Sequence, residues 1–163
     1  TGRHSVAPDL ASSPMVIADF DVFEGGARPG AAGPDAPGRH AGVDGWLNPH
    51  INGVFTVLFQ PHADVAETAA FLAAVDGLGK ELGITVRAVA VLPRADAALA
   101  DHEGLTVIED IEGVVAERYA LQPGTWYLLR PDQHIAGRSR SLNADTLRMV
   151  LRASAGCDNG GRA

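Results

Sequence analysis

The chain has 163 residues, a length that suits one domain and allows about 70% of the unfolded surface to be buried. Its 46% apolar and 20% charged residues exclude disorder along the whole chain, and with only nine aromatic residues the core falls to Ala, Val and Leu. Twenty acidic residues against 13 basic ones leave a formal charge of −7, which repels phosphate backbones and excludes nucleic acid as a partner.

The longest apolar runs, such as 54–59, are far shorter than the roughly 20 residues that cross a bilayer, and nothing at the first residues resembles a signal peptide. A soluble, cytoplasmic protein without membrane contact is expected. Residues 1–14 lack hydrophobic periodicity and read as a flexible segment, and 15–20 is the first strand pattern. Residues 25–45 carry Gly25, Gly26, Pro29, Gly30, Gly33, Pro34, Pro37 and Gly38, which predict a long irregular loop that hugs the surface or contacts a partner.

From Val54 the pattern becomes regular. Residues 54–59 are apolar without alternation, as in a central strand covered on both faces. Asp64, with Glu67 three positions on, forms a capping-box pattern for a helix over 65–82, whose Phe71, Leu72, Val75, Leu78 and Leu82 share one face and which Gly83 stops. A strand over 84–92 follows, so the two strands should be parallel, joined by a right-handed crossover.

An Ala-rich piece at 94–100 leads to a strand at 105–108. Asp110 is placed to cap a helix bearing Ile111, Val114, Val115 and Tyr119, closed by Pro123 and Gly124. Residues 125–129 and 134–138 flank a turn at Arg130-Pro131-Asp132-Gln133 and predict an antiparallel hairpin. The last helix opens at Asn143, with Leu142 and Leu147 as a hydrophobic staple, and runs to Gly156. Residues 156–163 read as a polar, flexible tail.

Strand, helix, strand, then helix, hairpin, helix is the thioredoxin arrangement, an α/β fold with a central mixed sheet flanked by helices. The run from Glu109 to Tyr119 and the run from Pro123 to Ala136 resemble the second half of peroxiredoxin-type domains. More narrowly, Tyr127-Leu128-Leu129-Arg130-Pro131-Asp132-Gln133-His134-Ile135-Ala136 is similar to the C-terminal domain of flavin-dependent aromatic hydroxylases of the phenol hydroxylase type. Residues 26–37 and Asp44-Gly45-Trp46-Leu47 resemble the segment that enters that domain, so the likeness spans 15–155.

The resemblance implies an accessory domain that follows a flavin-binding domain and a substrate domain and is associated with subunit dimerisation rather than with the chemistry. FAD and NAD(P)H would belong to the rest of such an enzyme. This chain has no strand-linked G-x-G-x-x-G of its own: Gly77, Gly79 and Gly83 have the wrong spacing and read as helix packing and a helix stop. A second reading, of a different class, is a stand-alone, redox-inactive thioredoxin-like module that binds a peptide or small ligand.

Redox cysteines of thioredoxin-like proteins follow the first core strand, where a helix N-terminus stabilises a thiolate. That position here reads Gln60-Pro61-His62-Ala63, and the facing loop is Pro123-Gly124-Thr125, whose proline can be cis or trans. His62 is either a ligand-binding group at the helix end or a solvent-exposed loop histidine. The six histidines, His4, His40, His50, His62, His102 and His134, lack short metal-ligand spacing, and Asp101-His102-Glu103 reads as a charged loop. Trp46 and Trp126 suit the core or a sheet face, with partner anchors as the alternative.

No catalytic residue is assigned, no cofactor is expected on this chain, and the lone Cys157 reads as an incidental thiol in the tail. The purified protein should therefore neither reduce insulin disulfides nor consume peroxide catalytically, and Cys157→Ser should change neither assay. Turnover abolished by that substitution would establish a thiol enzyme instead.

Overall fold

A computed structural model describes residues 18–19, 23–94, 96–100 and 102–160. In chain order its strands are β1 (Ala18–Asp19), β2 (Pro37–His40), β3 (Val43–Trp46), β4 (Phe55–Phe59), β5 (Val86–Leu92), β6 (Leu105–Glu109), β7 (Trp126–Leu129) and β8 (Ile135–Ser139). The helices are α1 (Asn48–Ile51), α2 (Val65–Leu82), α3 (Ala97–Ala100), α4 (Val114–Arg118) and α5 (Ala144–Gly160). All eight strands join one sheet in the order β1-β8-β7-β4-β5-β6-β2-β3.

The parallel pair expected on either side of the long helix is β4 and β5, with β6 parallel beyond it. The expected hairpin is β7–β8, antiparallel, with β7 antiparallel to β4. Every residue of β4 and β7 is buried, and their alternation sends side chains into two separate cores. Phe59, Trp126 and Leu128 pack with Phe71, Leu72, Val75, Leu147, Val150 and Leu151 under α2 and α5. Leu58, Tyr127 and Leu129 pack on the opposite side with Leu47, Ile51, Val89, Ile108, Val115, Tyr119 and Ile135.

Helix α2 has the bounds that the periodicity predicts, and Asp64 Oδ1 accepts from the Ala66 amide at 2.9 Å. The return arm of the cap is a different group from the expected Glu67. The Asp64 amide donates to His62 Nδ1 (2.9 Å), and Glu67 Oε2 lies 3.5 Å from the same nitrogen. Gly83 takes φ 67°, with its N–H bonded to the Lys80 carbonyl and the Ile84 N–H to the Gly79 carbonyl, which completes a Schellman stop. Asn143 caps α5 as predicted, accepting from Asp145 and Thr146.

Four expectations need correction. The segment 25–45 is not all loop: it contains β2 and three residues of β3, because Ala41 and Gly42, at φ 50° and 79°, make the two-residue turn whose twist suits a hairpin. Nor does that segment lie wholly outside the core, since Ala36 is fully buried. Asp110 does cap its helix, accepting from Val115 and Ala116, but α4 starts only at Val114, after a turn through Gly113, which leaves Ile111 exposed. Helix α5 passes Gly156 and continues to Gly160, so the backbone at Cys157 is helical.

Of the strand pattern at 15–20, β1 is described and pairs parallel with β8. Residues 1–14 and the side chain of Cys157 lie outside the described residues.

The second core has only short helices over it, α1 and α4. Residues 23–36 complete the cover as a strap whose polar backbone groups are tied to the sheet. The Gly30 N–H donates to the Ile135 carbonyl (2.8 Å), the Ile135 N–H to the Ala31 carbonyl (2.9 Å), and the Gly33 N–H to the Gln133 carbonyl (2.8 Å). Tyr119 donates its hydroxyl to the Pro34 carbonyl, and Arg138 donates to the Ala27 carbonyl, each at 2.7 Å. A Cβ on Gly33 would stand 2.5 Å from a Leu129 methyl and 2.8 Å from the Tyr119 oxygen, so a side chain there would lift the strap.

The strap leads into the β2–β3 hairpin, which meets β6 through only two register pairs, Arg39↔Glu109 and His40↔Ile108. Two further contacts hold it. Asp35 accepts from the Ala36 and Asn48 amides, and the His40 and His50 rings meet at a tilt of 59° with centroids 4.8 Å apart. Partial burial, then the His40 and Arg87 charges, hold the His50 imidazole below its ordinary value. The unfolded chain then binds the proton more readily than the folded one, so acid favours unfolding. Stability should fall as pH drops below about 6.5, and His50→Gln should flatten that part of the profile in urea titrations made at several pH values.

Candidate functional site

The sequence places the thiol position of this fold where the chain leaves β4. There Gln60, Pro61, His62 and Ala63 run to the first turn of α2, and Pro123, Gly124 and Thr125 lead into β7. The structure brings both segments together. The Gln60 amide donates to the Thr125 carbonyl (3.0 Å) and the Gly124 amide to the Gln60 carbonyl (2.9 Å), which adds one more rung to the β4–β7 ladder. All described peptide bonds are trans, that of Pro123 included.

His62 projects from this corner with 40% of its side chain exposed. Its Nδ1 accepts from the Asp64 amide, so the neutral ring carries its proton on Nε2. Its backbone is pinned by Thr68, one turn into α2 and almost fully buried: the His62 amide donates to Thr68 Oγ1 at 3.0 Å, and that hydroxyl points back toward the His62 carbonyl at 3.4 Å. Gly124, at φ 91°, lets the facing loop approach: a Cβ there would meet the Arg140 carbonyl at 3.1 Å and the His62 ring at 3.5 Å.

Behind the loop, buried Thr125 receives Arg140 Nη1 at 2.9 Å and the Gln122 amide at 3.2 Å. Arg140 also donates to the Ala120 carbonyl, and its guanidinium lies 3.9 Å from the centre of the Phe23 ring, with Arg138 at 4.0 Å. Thr68 and Arg140 were not singled out from the sequence. The signal for Thr68 was a hydroxyl on the buried stripe of an amphipathic helix, where a polar group needs a partner. Nothing in the local sequence marked Arg140, whose partners lie 15 and 20 residues away.

The corner thus contains a well-bonded turn, an outward imidazole and a hydroxyl engaged with the backbone, in the place where thiol chemistry needs a thiolate. Trp126 is fully buried beside it, its Nε1 donating to the Ser141 carbonyl at 2.8 Å, whereas Trp46 is 57% exposed on β3. Tyr119 and Tyr127 stack edge to face at 5.1 Å under the strap, and burial first, then Tyr127 and Asp35, pushes the Tyr119 hydroxyl far up.

Two other features fit a cofactor poorly. Gly77 and Gly79 lie inside α2, where a Cβ on Gly79 would press on the Ile84 carbonyl, and Gly83 is the helix stop, so none of them cradles a dinucleotide phosphate. Among the described residues no three His, Cys, Asp or Glu side chains gather as a metal site. A hollow of about 570 Å³ is an open groove between α2 and β6 floored by Leu72, Val75, Ala88 and Leu105, away from the corner.

Sheet order, hairpin and corner define a domain of the thioredoxin-like class. Its structure superposes on the thiol peroxidase from Chromobacterium violaceum with a TM-score of 0.64 over 93% of this chain and all of that one, at 12% identity. The chain belongs to the HcaD C-terminal domain family, whose model matches residues 45–154. Comparison with curated protein sequences finds no match.

The C-terminal domain of flavin hydroxylases, named above from residues 127–136, is upheld by that membership and by the solved structures. Aklavinone-11 hydroxylase, in a complex with FAD and aklavinone, is 28% identical over 87% of this chain, with a TM-score of 0.63. The flavin-dependent monooxygenase PieE shares the fold at 21% identity over 86% of this chain, with a TM-score of 0.61. The chain spans about a quarter of the length of each, 25% and 24% respectively.

Thr68→Val removes the acceptor of the His62 amide and should cost about 1–3 kcal/mol, with Thr68→Ser restoring most of it. Urea unfolding followed by circular dichroism measures both. Unchanged stability in Thr68→Val would show that the hydroxyl does not hold the turn.

Proposed function

We propose that this domain is a non-catalytic accessory part of an FAD-dependent aromatic-ring monooxygenase of the phenol hydroxylase type, and that it supports assembly of the enzyme as a dimer. The observation that carries the reading is family membership combined with 28% identity, along 87% of the chain, to a quarter of aklavinone-11 hydroxylase. FAD and NAD(P)H are then held by the enzyme's flavin-binding and substrate domains, which are this domain's partners together with a second subunit. The cytoplasm is the compartment this reading implies.

A redox corner without a thiol supports the non-catalytic part of the proposal. Residues 60–68 contain His62 and Thr68 but no cysteine, so the domain has no nucleophile where its fold class uses one. The competing reading, a stand-alone binding module, requires a reading frame with no glycine-rich strand-turn-helix upstream.

Sedimentation and flavin analysis of the whole enzyme, with and without residues 15–155, test the proposal. The intact enzyme should be a dimer containing FAD and oxidising NAD(P)H when given its phenol, and the shortened one should keep FAD while sedimenting as a monomer. The 163-residue chain should be colourless after gel filtration. A shortened enzyme that stays fully dimeric and active removes the assembly role, and stoichiometric flavin on the isolated chain overturns the non-catalytic one.

A further inference from the structure

Three side chains that carry or can gain positive charge meet beside the second core, each from a different element. His40 ends β2, His50 belongs to α1 and Arg87 to β5. The two imidazoles lie 4.8 Å apart between centroids, and His40 Nδ1 is 3.2 Å from the Val107 carbonyl of β6. Arg87 donates to the carbonyls of Pro49 and Asn52, the latter at 3.2 Å, so the end of α1 that would otherwise steady a protonated His50 is already occupied.

Among the described residues no carboxylate pairs with any of the three. Arg39, Asp44 and Glu109 are close to His40 in sequence or register, but strand alternation sends them to the other face of the sheet, where Arg39 and Asp44 pair at 2.7 Å. Asp35 accepts from the Ala36 and Asn48 amides at the start of α1. The carboxylates that do lie within ion-pair reach of a histidine are Glu67, at His62, and Asp132, at His134.

The hairpin that carries His40 is lightly held at its tip. Its two-residue turn makes His40↔Val43 a bonded pair, so Arg39 turns its N–H and C=O toward Glu109, and that is the bonded pair of the short register between β2 and β6. At the base, the Leu47 N–H bonded to the Ala36 carbonyl and the two Asp35 bonds tie the hairpin to α1 and the strap.

We propose that His40, His50 and Arg87 form an acid-sensitive catch: protons taken up by the two facing imidazoles release the tip of the β2–β3 hairpin from β6 while the rest of the sheet stays paired. Two charged rings at this separation, half in solvent, repel by enough to shift an equilibrium roughly five- to a hundredfold, and Arg87 adds to the repulsion. Partial burial already holds the His50 imidazole below its ordinary value. The closed form therefore binds that proton less readily than the open one; it prevails above about pH 6.5 and loses ground as pH falls below it. Swinging the tip away relieves the repulsion and breaks one bonded pair, and the Arg39–Asp44 ion pair travels with the hairpin. The first effect of acid is thus local, ahead of unfolding of the whole domain, and it leaves β6 as the edge of the sheet. The catch belongs to the domain itself and stands independently of the accessory-domain reading.

Residue-resolved amide hydrogen exchange by NMR on the 163-residue chain at pH 7.5 and 5.5, corrected for the intrinsic pH dependence of exchange, tests this. Protection of the Arg39 and Glu109 amides should fall by about fivefold or more at the lower pH, with the β4 and β7 amides unchanged. In the double variant His40→Gln, His50→Gln the fall should vanish. Arg87→Gln keeps both rings and should shrink the fall by about twofold or more, which decides the matter if the hairpin of the double variant is already loose at pH 7.5.

Protection at Arg39 and Glu109 that does not change with pH overturns the inference, as does an equal fall in β4 and β7. A fall that persists in full in the double variant, or that Arg87→Gln leaves at full size, overturns it as well.

Discussion

A sheet whose central strands are apolar on both faces has to be covered on both, and this constraint shapes the rest of the domain. Two helices of 18 and 17 residues cover one face. The other has helices of four and five residues, too short for the task, so a segment without regular structure supplies the remaining cover. Irregular chain over a core is tolerable only when its amides and carbonyls find partners. The strap finds them in Gln133, Ile135, Tyr119 and Arg138, and two of its glycines, Gly26 and Gly33, stand where a Cβ would press on Ala120 (2.7 Å) and Leu129 (2.5 Å).

The same arrangement explains what the amino-acid sequence reveals. Elements that are stabilised locally are legible: α2 from its apolar spacing, the Asp64 cap and Gly83; the β7–β8 hairpin from its proline turn; β4 from an apolar run too short for a helix. The β2–β3 hairpin was hidden because its strands are rich in glycine and its turn uses Ala41, an unusual residue at positive φ, in place of the Asn or Asp that would have announced it. Ile111 misled because the apolar pattern continues through a turn that the fold inserts before α4. At the corner the positions of Gln60, His62 and Gly124 followed from the fold class, whereas Thr68 and Arg140 act through contacts that only the folded chain creates.

The corner also shows how far architecture can persist apart from chemistry. A fold class that elsewhere presents a reactive sulfur to a helix N-terminus here retains the turn, the helix cap and the close approach of the facing loop, all held by hydrogen bonds that need no thiol. Function belongs to sites rather than folds, and the packing surfaces of this domain do not depend on a thiol at the corner. The β3 edge is on the opposite side of β4 from the β7–β8 hairpin, so the two surfaces are open to independent change.

The strap has a consequence for the order in which the molecule forms. Its hydrogen bonds join residues 83 to 113 positions apart, among the most distant pairings the domain contains. Contacts across such separations carry the largest loop-closure entropy and tend to form after local elements have assembled. Within the domain the strap precedes the strands it binds, so it has nothing to pair with until β7 and β8 have followed, and the second core stays open until then. Interactions formed that late act mainly on the rate of unfolding, which makes the strap a kinetic latch: its closure barely hastens folding but sets how long the folded domain lasts.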